Sequence, residues 1–233
     1  MNLHFSPEFS EQHPILDGPE AHHALNVLRL GPGDPLHITN GAGIRFDARI
    51  LSTGRGNCQL GIEHIVRTQR EPSGIHLAVG IMKTSERMEW MVEKLTEIGI
   101  TSLTFLLTAN IERKAINMDR LEKTAISAIK QSGRVWLPEL RGPIKFSELI
   151  TRASGHRFIA SAGHKDAQRL IDRIPANDEH LVLIGPEGDF NEQEFNQAIE
   201  AGFLPVSLGN ATLRTETAAV HACVAMNLSA GRN

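Results

Sequence analysis

The turn Gly185-Pro186-Glu187-Gly188-Asp189 is the first pattern in the sequence that could serve chemistry. It follows the apolar run from Leu181 to Ile184, which predicts a buried strand. Asn191 and Glu194 then match a capping box, so we expect a helix to begin there. The turn is therefore short, held at both ends, and placed where open α/β sheets bind ligands. An ordinary strand-to-helix connection explains the same spacing equally well.

The segment from Leu208 to Thr217 is the second candidate, and it leads into an alanine-rich final helix. Small side chains allow close backbone approach, so we expect this helix to be buried, against a partner subunit in one interpretation. Glu216 can be explained as a helix-start residue, because carboxylates are favourable there. Arg214 needs another explanation, since a cation is unfavourable at that end of a helix.

Neither candidate segment matches a nucleotide-phosphate motif. The glycine pattern of dinucleotide-binding folds is missing around Gly185, and the chain has no P-loop sequence. The two cysteines, Cys58 and Cys223, stand far apart among apolar or small neighbours and predict buried free thiols. The histidines fit no metal-ligand spacing, so we expect no metal site.

The composition predicts an ordinary globular protein. Of 233 residues, 41% are hydrophobic and 22% charged, which allows a buried core. No apolar run is long enough to span a membrane, and the N-terminus lacks a signal-peptide pattern. We therefore expect a cytoplasmic protein with no membrane partner.

Charge is unevenly distributed along the chain. The formal net charge is −3, whereas nucleic-acid-binding proteins are often basic. Residues 112–141 nevertheless contain seven basic and four acidic side chains. This run can form a local positive surface, although a solvated helix face explains it too.

The two parts of the chain have different patterns. Short, partly alternating strand patterns at 36–38, 44–50 and 59–66 are separated by glycine-rich turns and predict a small β-barrel, with one helix near 20–28. The polar stretch 67–74 predicts a linker. Beyond it, strand patterns at 75–81, 103–107, 157–160 and 180–184 alternate with helical periodicity. We therefore predict a β-barrel domain over 1–72 and an α/β domain with a parallel sheet over 73–233.

Helix signals in the second part are specific. Met88, Met91, Val92 and Leu95 recur at helical spacing, and Gly99 marks the end of that helix. Asp119 and Glu122 predict the capping box of a following helix.

These segments resemble a known family. The stretch Ile184 to Gly188, with Leu208-Gly209 and Leu213 to Ala218, is similar to signature segments of the ribosomal small-subunit RNA methyltransferase E family. Further similar stretches lie upstream, in the order that the family has them: His22-His23 with Val27 to Leu30, Lys83 with Glu89-Trp90, Lys94 to Ile100, and Gln131 to Arg134. The resemblance therefore extends over nearly the whole chain.

The resemblance implies a fold and an activity. The family joins a PUA-like barrel to a SPOUT-class methyltransferase domain with a C-terminal trefoil knot, an exception to the usual absence of knots. It implies a homodimer that uses S-adenosyl-L-methionine to methylate N3 of a uridine in 16S ribosomal RNA, in the 30S subunit. The implied cofactor-binding residues are Ala160, Ile184, Gly185, Pro186, Glu187, Gly188, Leu208, Gly209, Leu213 and Thr217.

Two departures from the family pattern concern the same pocket. Asp189 stands where the family usually has a second glycine. Asn210-Ala211-Thr212 replaces a stretch that usually carries proline, arginine and isoleucine. Both departures put the local loop shapes in question and leave the reaction class unchanged.

Two side chains are candidates for the chemistry of methyl transfer. Uridine N3 must lose its proton to become a good nucleophile, and the base must turn out of any pairing to be reached. We predict that Arg214 stabilises negative charge on the uracil oxygens. Glu216 is predicted to be a general base or an orienting group.

RNA contacts are predicted in both parts of the chain. The candidate set is His22, His23 and Arg29 from the barrel, with Arg87, Lys94 and Arg134 from the α/β domain. The histidines have a second explanation, which is that they pack the helix onto the barrel.

Three other functions compete with this interpretation. The chain could be another SPOUT RNA methyltransferase that acts on tRNA or on a ribose hydroxyl, or a non-catalytic ribosome-binding module. An NAD-dependent oxidoreductase is disfavoured because the glycine pattern is missing.

Overall fold

The computed structural model describes residues 3–70, 74–109, 111, 115–161, 163–164, 167–175 and 178–229. The chain forms two compact units. The smaller unit comprises Met1–Arg70 with Ile126–Leu137, and the larger comprises Glu71–Ala125 with Pro138–Asn233. The boundary predicted between residues 72 and 73 lies outside the described residues, as do residues 112–114 of the basic run.

The smaller unit contains a five-stranded sheet. Its elements are β1 (Leu3–Phe5), β2 (Ile15–Asp17), α1 (Gly18–His22), a π-helix (His23–Val27), β3 (Pro35–Thr39), β4 (Ile44–Thr53) and β5 (Asn57–Arg67). The strand order is β1-β3-β4-β5-β2. The three predicted strands and the helix are confirmed. Strands β1 and β2 are not evident from the sequence, because three residues are too few to show an alternation of apolar and polar side chains.

Residues 126–137 pack with the smaller unit through its backbone. The Gly43 N–H donates to the Val135 carbonyl at 2.9 Å, and the Leu137 N–H donates to the Gly41 carbonyl at 2.9 Å. The sequence pattern had placed these residues with the α/β part. Pairing between segments so distant in sequence leaves no periodic signal, because each segment contributes only a few bonds.

A partly buried charge network joins three elements of the smaller unit. The Glu20 carboxylate accepts hydrogen bonds from His4 Nδ1 at 3.0 Å and from Lys130 Nζ at 2.6 Å. His4 is 1% exposed. Burial raises the pKa of Glu20, but the hydrogen bonds from His4 and Lys130 outweigh burial and hold its pKa below the usual 4.5. The ionised form of Glu20 therefore stabilises the folded unit.

Glu20→Gln should lower the free energy of unfolding by about 2 kcal/mol at neutral pH, because it removes two charge-assisted hydrogen bonds. A carboxylate with a depressed folded-state pKa stabilises fully above the unfolded pKa of 4.5. That contribution is lost as the pH falls through the lower folded-state value. The difference between wild type and variant in urea unfolding should therefore shrink below pH 4.5.

Glu11→Gln is the matched control for this substitution, since Glu11 forms an exposed ion pair with Arg67. Exposed pairs contribute little, so the control should unfold like the wild type. Equal unfolding of Glu20→Gln and Glu11→Gln would contradict a stabilising role for the network.

The larger unit is a seven-stranded sheet with helices. Its elements are β6 (Ile75–Gly80), α2 (Ser85–Ile98), β7 (Ser102–Leu107), α3 (Met118–Ser132), β8 (Glu139–Lys145), α4 (Phe146–Arg152), β9 (His156–Ala160), β10 (Gln168–Arg169), a 3-10 turn (Leu170–Asp172), β11 (His180–Ile184), α5 (Glu192–Glu200), β12 (Leu204–Ser207) and α6 (Thr215–Ser229). The division between the units runs through α3. Every strand pair is parallel, as the sequence predicted.

The strand order in this sheet is β10-β12-β9-β11-β6-β7-β8. From β6 the chain proceeds outward through β7 to β8, and it later fills the opposite side with β9, β11 and β12. Strands that follow β6 are therefore added first on one side of it and later on the other, and this change of side lies between β6 and β11. Ligands bind open parallel sheets at the carboxyl ends of strands beside such a change. The loop after β11 is at this position.

Helix ends in the larger unit follow local chemistry. Gly99 ends α2 in the left-handed conformation, with φ of 106°. The capping box of Asn191 and Glu194 is confirmed at the start of α5, with both reciprocal hydrogen bonds present. Glu194 also accepts from the Ala109 N–H at 2.8 Å, which ties α5 to the end of β7.

The predicted capping box of Asp119 and Glu122 is wrong. The helix begins at Met118, so Asp119 already lies within its first turn. Asn117 provides the cap, because its side chain accepts from the Arg120 N–H at 3.1 Å. Asparagine is as good a cap as aspartate, and the sequence alone did not separate the two registers.

Both Cys58 and Cys223 are buried free thiols, as predicted. The described part of the chain contains no helix with the length and apolarity needed to cross a bilayer. No group of three or more metal-compatible side chains occurs among the described residues.

Candidate functional site

A cavity of about 310 Å³ opens at the carboxyl ends of β9, β11 and β12, within the larger unit. Its wall is built from the last residues of these strands and from the two segments that the sequence singled out. Its volume lies near the lower end of the range for small-molecule pockets, about 300–1,000 Å³.

The first segment is held rigidly beneath the cavity. The Asp189 N–H donates to the Pro186 carbonyl at 2.9 Å, which closes the turn. Pro186 packs directly on Gly80 at the end of β6. A Cβ on Gly80 would lie 2.6 Å from Pro186 N and 2.5 Å from its Cδ. The loop position thus depends on the absence of a side chain on the neighbouring strand.

Asp189, at the end of this turn, has a left-handed backbone conformation and a local hydrogen bond that makes it tolerable. Its φ is 58°, in the left-handed region where glycine is the usual residue. Aspartate tolerates this region better than most residues, because its side chain can bond locally. Here Asp189 Oδ1 accepts from the Phe190 N–H at 2.8 Å. Asp189 therefore adopts a backbone conformation typical of glycine and places a carboxylate at the cavity wall.

Asp189→Gly should change the free energy of unfolding by less than about 1 kcal/mol, because relief of strain offsets the lost local hydrogen bond. Asp189→Val should be clearly destabilising, since a branched side chain does not accept this φ. Urea unfolding of the two variants measures the difference. Equal stability of the glycine and valine variants would show that this φ is not maintained.

The second segment is joined to the first by a hydrogen bond. Thr215 Oγ1 donates to the Gly185 carbonyl at 3.0 Å. Gly209 has a φ of 128°, and a Cβ there would meet nothing within 4 Å. The Cα of Gly209 therefore faces open space, whereas its backbone N–H and carbonyl are hydrogen-bonded to Ser207 Oγ at 3.2 and 3.0 Å.

Arg214 immediately precedes the first residue of α6 and lines the cavity. Its side chain is exposed and has no hydrogen bond or ion pair within the described ranges. A guanidinium at a helix N-terminus is electrostatically unfavourable. An unpaired arginine in this position is therefore available to an anionic or polar ligand.

Glu216 lies behind the cavity wall and does not line it. Its side chain is 10% exposed, and Oε1 lies 3.8 Å from Arg87 Nε. Oε2 is buried and has no hydrogen-bond partner among the residues that the structure describes. This geometry favours the orienting role over the general-base role, because a base must reach the substrate.

Arg87 lies at the start of α2 and lines the cavity. From its sequence position Arg87 is predicted to contact RNA. Its guanidinium is 3.8 Å from the Glu187 carboxylate and 3.8 Å from that of Glu216. Arg87 thus contacts one carboxylate in each of the two segments.

Most of the predicted cofactor residues share the cavity wall. Eight of them line it: Ala160, Ile184, Gly185, Pro186, Glu187, Leu208, Gly209 and Leu213. Gly188 and Thr217 do not. The structure adds six wall residues that the sequence analysis had not selected: Ser161, Asp189, Ala211, Thr212, Thr215 and Ala218. All six lie within two positions of a selected residue, so the signal available for them was their proximity in sequence.

The remaining predicted RNA contacts divide between the units. His22, His23, Arg29 and Arg134 belong to the smaller unit, and Lys94 to the larger. Arg134 was expected in the α/β domain, but it lies in the segment that packs on the smaller unit. Lys94 donates to Glu93 at 2.7 Å and to Glu97 at 3.0 Å, and these hydrogen bonds raise its pKa.

Arg29 has an unusual backbone beside the π-helix. Its φ is 57°, and the Leu30 N–H donates to the Ala24 carbonyl at 3.0 Å across the helix end. Left-handed non-glycine residues and π-helices both occur often at functional sites. His23 is half-buried, whereas His22 and Arg29 are exposed.

Two protein-family models match this chain and identify the class of protein to which it belongs. Residues 69–227 match the family model of an RNA methyltransferase domain, and residues 16–63 match that of an RNA methyltransferase PUA domain. The larger unit, with its cavity at the carboxyl ends of parallel strands, is therefore an RNA methyltransferase domain.

Relatives that this chain matches along most of their length show which family of RNA methyltransferases it belongs to. A solved structure from Porphyromonas gingivalis, described as a probable rRNA methyltransferase, is 39% identical, with a TM-score of 0.88 and coverage of 96% of this chain and 95% of the other. The ribosomal RNA small subunit methyltransferase E of Neisseria gonorrhoeae, solved bound to S-adenosyl methionine, is 31% identical, with a TM-score of 0.86 and coverage of 98% and 97%. The protein of that name from Mycobacterium bovis is 30% identical over 94% of this chain and 87% of its own length. The chain belongs to the family of the ribosomal RNA small subunit methyltransferases E.

Proposed function

We propose that the chain transfers a methyl group from S-adenosyl-L-methionine to N3 of a uridine in 16S ribosomal RNA. The observation that carries the proposal is the cavity at the change of strand order, with the unpaired Arg214 at its wall. The family relationship supplies the methyl donor and the class of RNA. The residues of the cavity are compatible with both.

The cavity wall suits S-adenosyl-L-methionine. Ile184, Leu208 and Leu213 would provide apolar surface for the adenine ring of the donor. When bound, the donor would supply a methyl group on a sulfonium: the new N–CH3 bond to the deprotonated N3 would form as the S–CH3 bond breaks, and the neutral thioether would leave. The protein must hold the two reacting atoms about 3–3.5 Å apart, and the rigid turn at Pro186 provides a fixed floor for that alignment.

Arg214 provides electrostatic stabilisation in this reaction. Transfer of the N3 proton to solvent water leaves negative charge on the two uracil oxygens that flank N3. A guanidinium with fixed N–H donors stabilises such a developing charge. Because Arg214 has no partner in the described part of the chain, no existing ion pair has to break before it binds the base.

The smaller unit positions the RNA. It matches a PUA domain of RNA methyltransferases over residues 16–63. We retain His22, His23, Arg29 and Arg134 as its contact candidates, together with Lys94 of the larger unit. Binding through arginine and lysine contacts to phosphates weakens as the salt concentration rises.

We further propose a homodimer that contains the trefoil knot and acts on the 30S subunit in the cytoplasm. The support for dimerisation is exposed apolar surface on α2 and α6, two helices that pack against each other. Trp90 is 44% exposed, Val224 39% and Leu228 59%. Large apolar side chains in water are unfavourable, and a second copy of the chain would cover them.

The decisive experiment is methylation of 30S subunits from a strain that lacks the protein. The subunits are incubated with purified protein and S-adenosyl-L-methionine, and the nucleosides are identified by mass spectrometry after digestion. We expect 3-methyluridine from 16S ribosomal RNA. A ribose-methylated product, or methylation of tRNA instead, would show a different RNA methyltransferase activity. Failure to bind the donor in calorimetry would indicate a non-catalytic module.

A further inference from the structure

Arg87 forms a charged bridge between the two segments of the site. Its guanidinium lies 3.8 Å from Glu187, in the turn after β11, and 3.8 Å from Glu216, in the first turn of α6. Glu187 Oε1 also accepts from the Lys83 N–H at 3.1 Å, just before α2. The start of α2 therefore contacts both segments through one side chain and one backbone group.

The local sequence does not explain an arginine at this place. Arg87 is in the first turn of α2, where the helix dipole disfavours a cation. The same turn of α6 favours Glu216, but burial of that carboxylate is unfavourable without a counter-charge. The bridge reduces both difficulties, because Arg87 provides a counter-charge 3.8 Å from the buried carboxylate.

The bridge also affects the geometry of Arg214. Glu216 is two residues beyond Arg214 along the chain, so fixing its carboxylate fixes the turn from which Arg214 projects. Glu187 lines the cavity, so fixing it restrains the loop that forms the cavity floor. Displacement of a reacting group by about 1 Å can reduce a rate by about 100-fold.

We propose that Arg87 is a positioning residue for methyl transfer, which acts by holding Glu187 and Glu216 and thereby aligning Arg214 with the methyl donor. This inference rests on the proposed function. It replaces the earlier prediction that Arg87 contacts RNA directly. Arg87 does not itself touch the reacting atoms in this assignment.

The test compares four variants: Arg87→Gln, Arg87→Lys, Glu216→Gln and the double variant Arg87→Gln/Glu216→Gln. Arg120→Gln is the matched control, because Arg120, on α3, pairs at 2.8 Å with Glu89 of α2, the helix that carries Arg87, but lies outside the cavity wall. The measurements are kcat and KM with 30S subunits, and the Kd for S-adenosyl-L-methionine by calorimetry.

We expect Arg87→Gln to lower kcat by about 10- to 100-fold with little change in KM for 30S subunits. Arg87→Lys should recover part of the loss, because it restores the charge without the planar fork. The double variant should be no less active than Arg87→Gln, since it leaves no buried carboxylate without a counter-charge. Arg120→Gln should behave like the wild type.

Two results would overturn the inference. A raised KM for 30S subunits with unchanged kcat in Arg87→Gln would make Arg87 an RNA contact. Fully additive losses in the double variant would show that Arg87 and Glu216 do not act together.

Separate measurements test the proposed methylation and the proposed role of Arg87. A wild-type protein that makes no 3-methyluridine contradicts the function. Donor affinity and urea unfolding of the same variants still report whether Arg87 and Glu216 are coupled. Arg87→Lys keeps the test valid if the glutamine variant does not fold.

Discussion

Arg214→Ala should reduce kcat for methylation of 30S subunits by about 100- to 1,000-fold, the effect of removing one donor that stabilises developing charge. The affinity for S-adenosyl-L-methionine should stay close to that of the wild type. Arg214 is exposed at the cavity wall without an intramolecular partner among the described residues, so its loss disrupts no packing. Single-turnover kinetics with labelled donor, together with calorimetry, separate the two effects.

Two further variants define the interpretation of Arg214→Ala. Arg214→Lys should remain strongly impaired, because an ammonium does not present two N–H donors in a fixed plane. Arg152→Ala is the matched control, since Arg152 is also exposed but lies on α4, away from this cavity. Wild-type turnover in Arg214→Ala would remove this side chain from the mechanism.

Gly80→Ala should weaken binding of S-adenosyl-L-methionine by more than about tenfold and lower the free energy of unfolding by about 1–3 kcal/mol. The new Cβ would lie 2.6 Å from the Pro186 backbone nitrogen. Backbone cannot rotate away as a flexible side chain can, so the turn after β11 must move. That turn forms the floor of the cavity.

Gly31→Ala is the matched control for Gly80→Ala, because a Cβ at Gly31 would meet nothing within 4 Å. It should bind the donor and unfold like the wild type. Calorimetry and urea unfolding of both variants measure the outcome. Normal donor affinity in Gly80→Ala would show that the turn can shift without affecting the site.

Much of the fold was predictable because strong local patterns carry it. The face of α2 formed by Met88, Met91, Val92 and Leu95 is buried as its periodicity predicted. The capping box at Asn191 placed the start of α5 correctly for the same reason. At Asn117 and Asp119, two good caps compete within two positions, so the sequence did not determine the register.

Arg87 was assigned incompletely because its partners are distant in sequence. Glu187 is 100 residues away from it, and Glu216 is further still. A basic residue near the start of a helix has no local feature that distinguishes a phosphate contact from an internal bridge. The placement of Arg134 in the α/β domain was wrong for a similar reason, because the pairing of residues 126–137 with the turn at Gly41 and Gly43 is long-range.

For the two C-terminal segments, the sequence predicts local conformation but not tertiary contacts. The sequence by itself determined a tight turn after a buried strand and an arginine at an unfavourable helix position. Both features follow from backbone preferences and helix electrostatics within a few residues. Only the tertiary structure decided that the segments share one cavity wall, that Arg214 is unpaired there among the described residues, and that Arg87 connects Glu187 with Glu216. These facts depend on parallel strand order, which brings together loops that are distant along the chain.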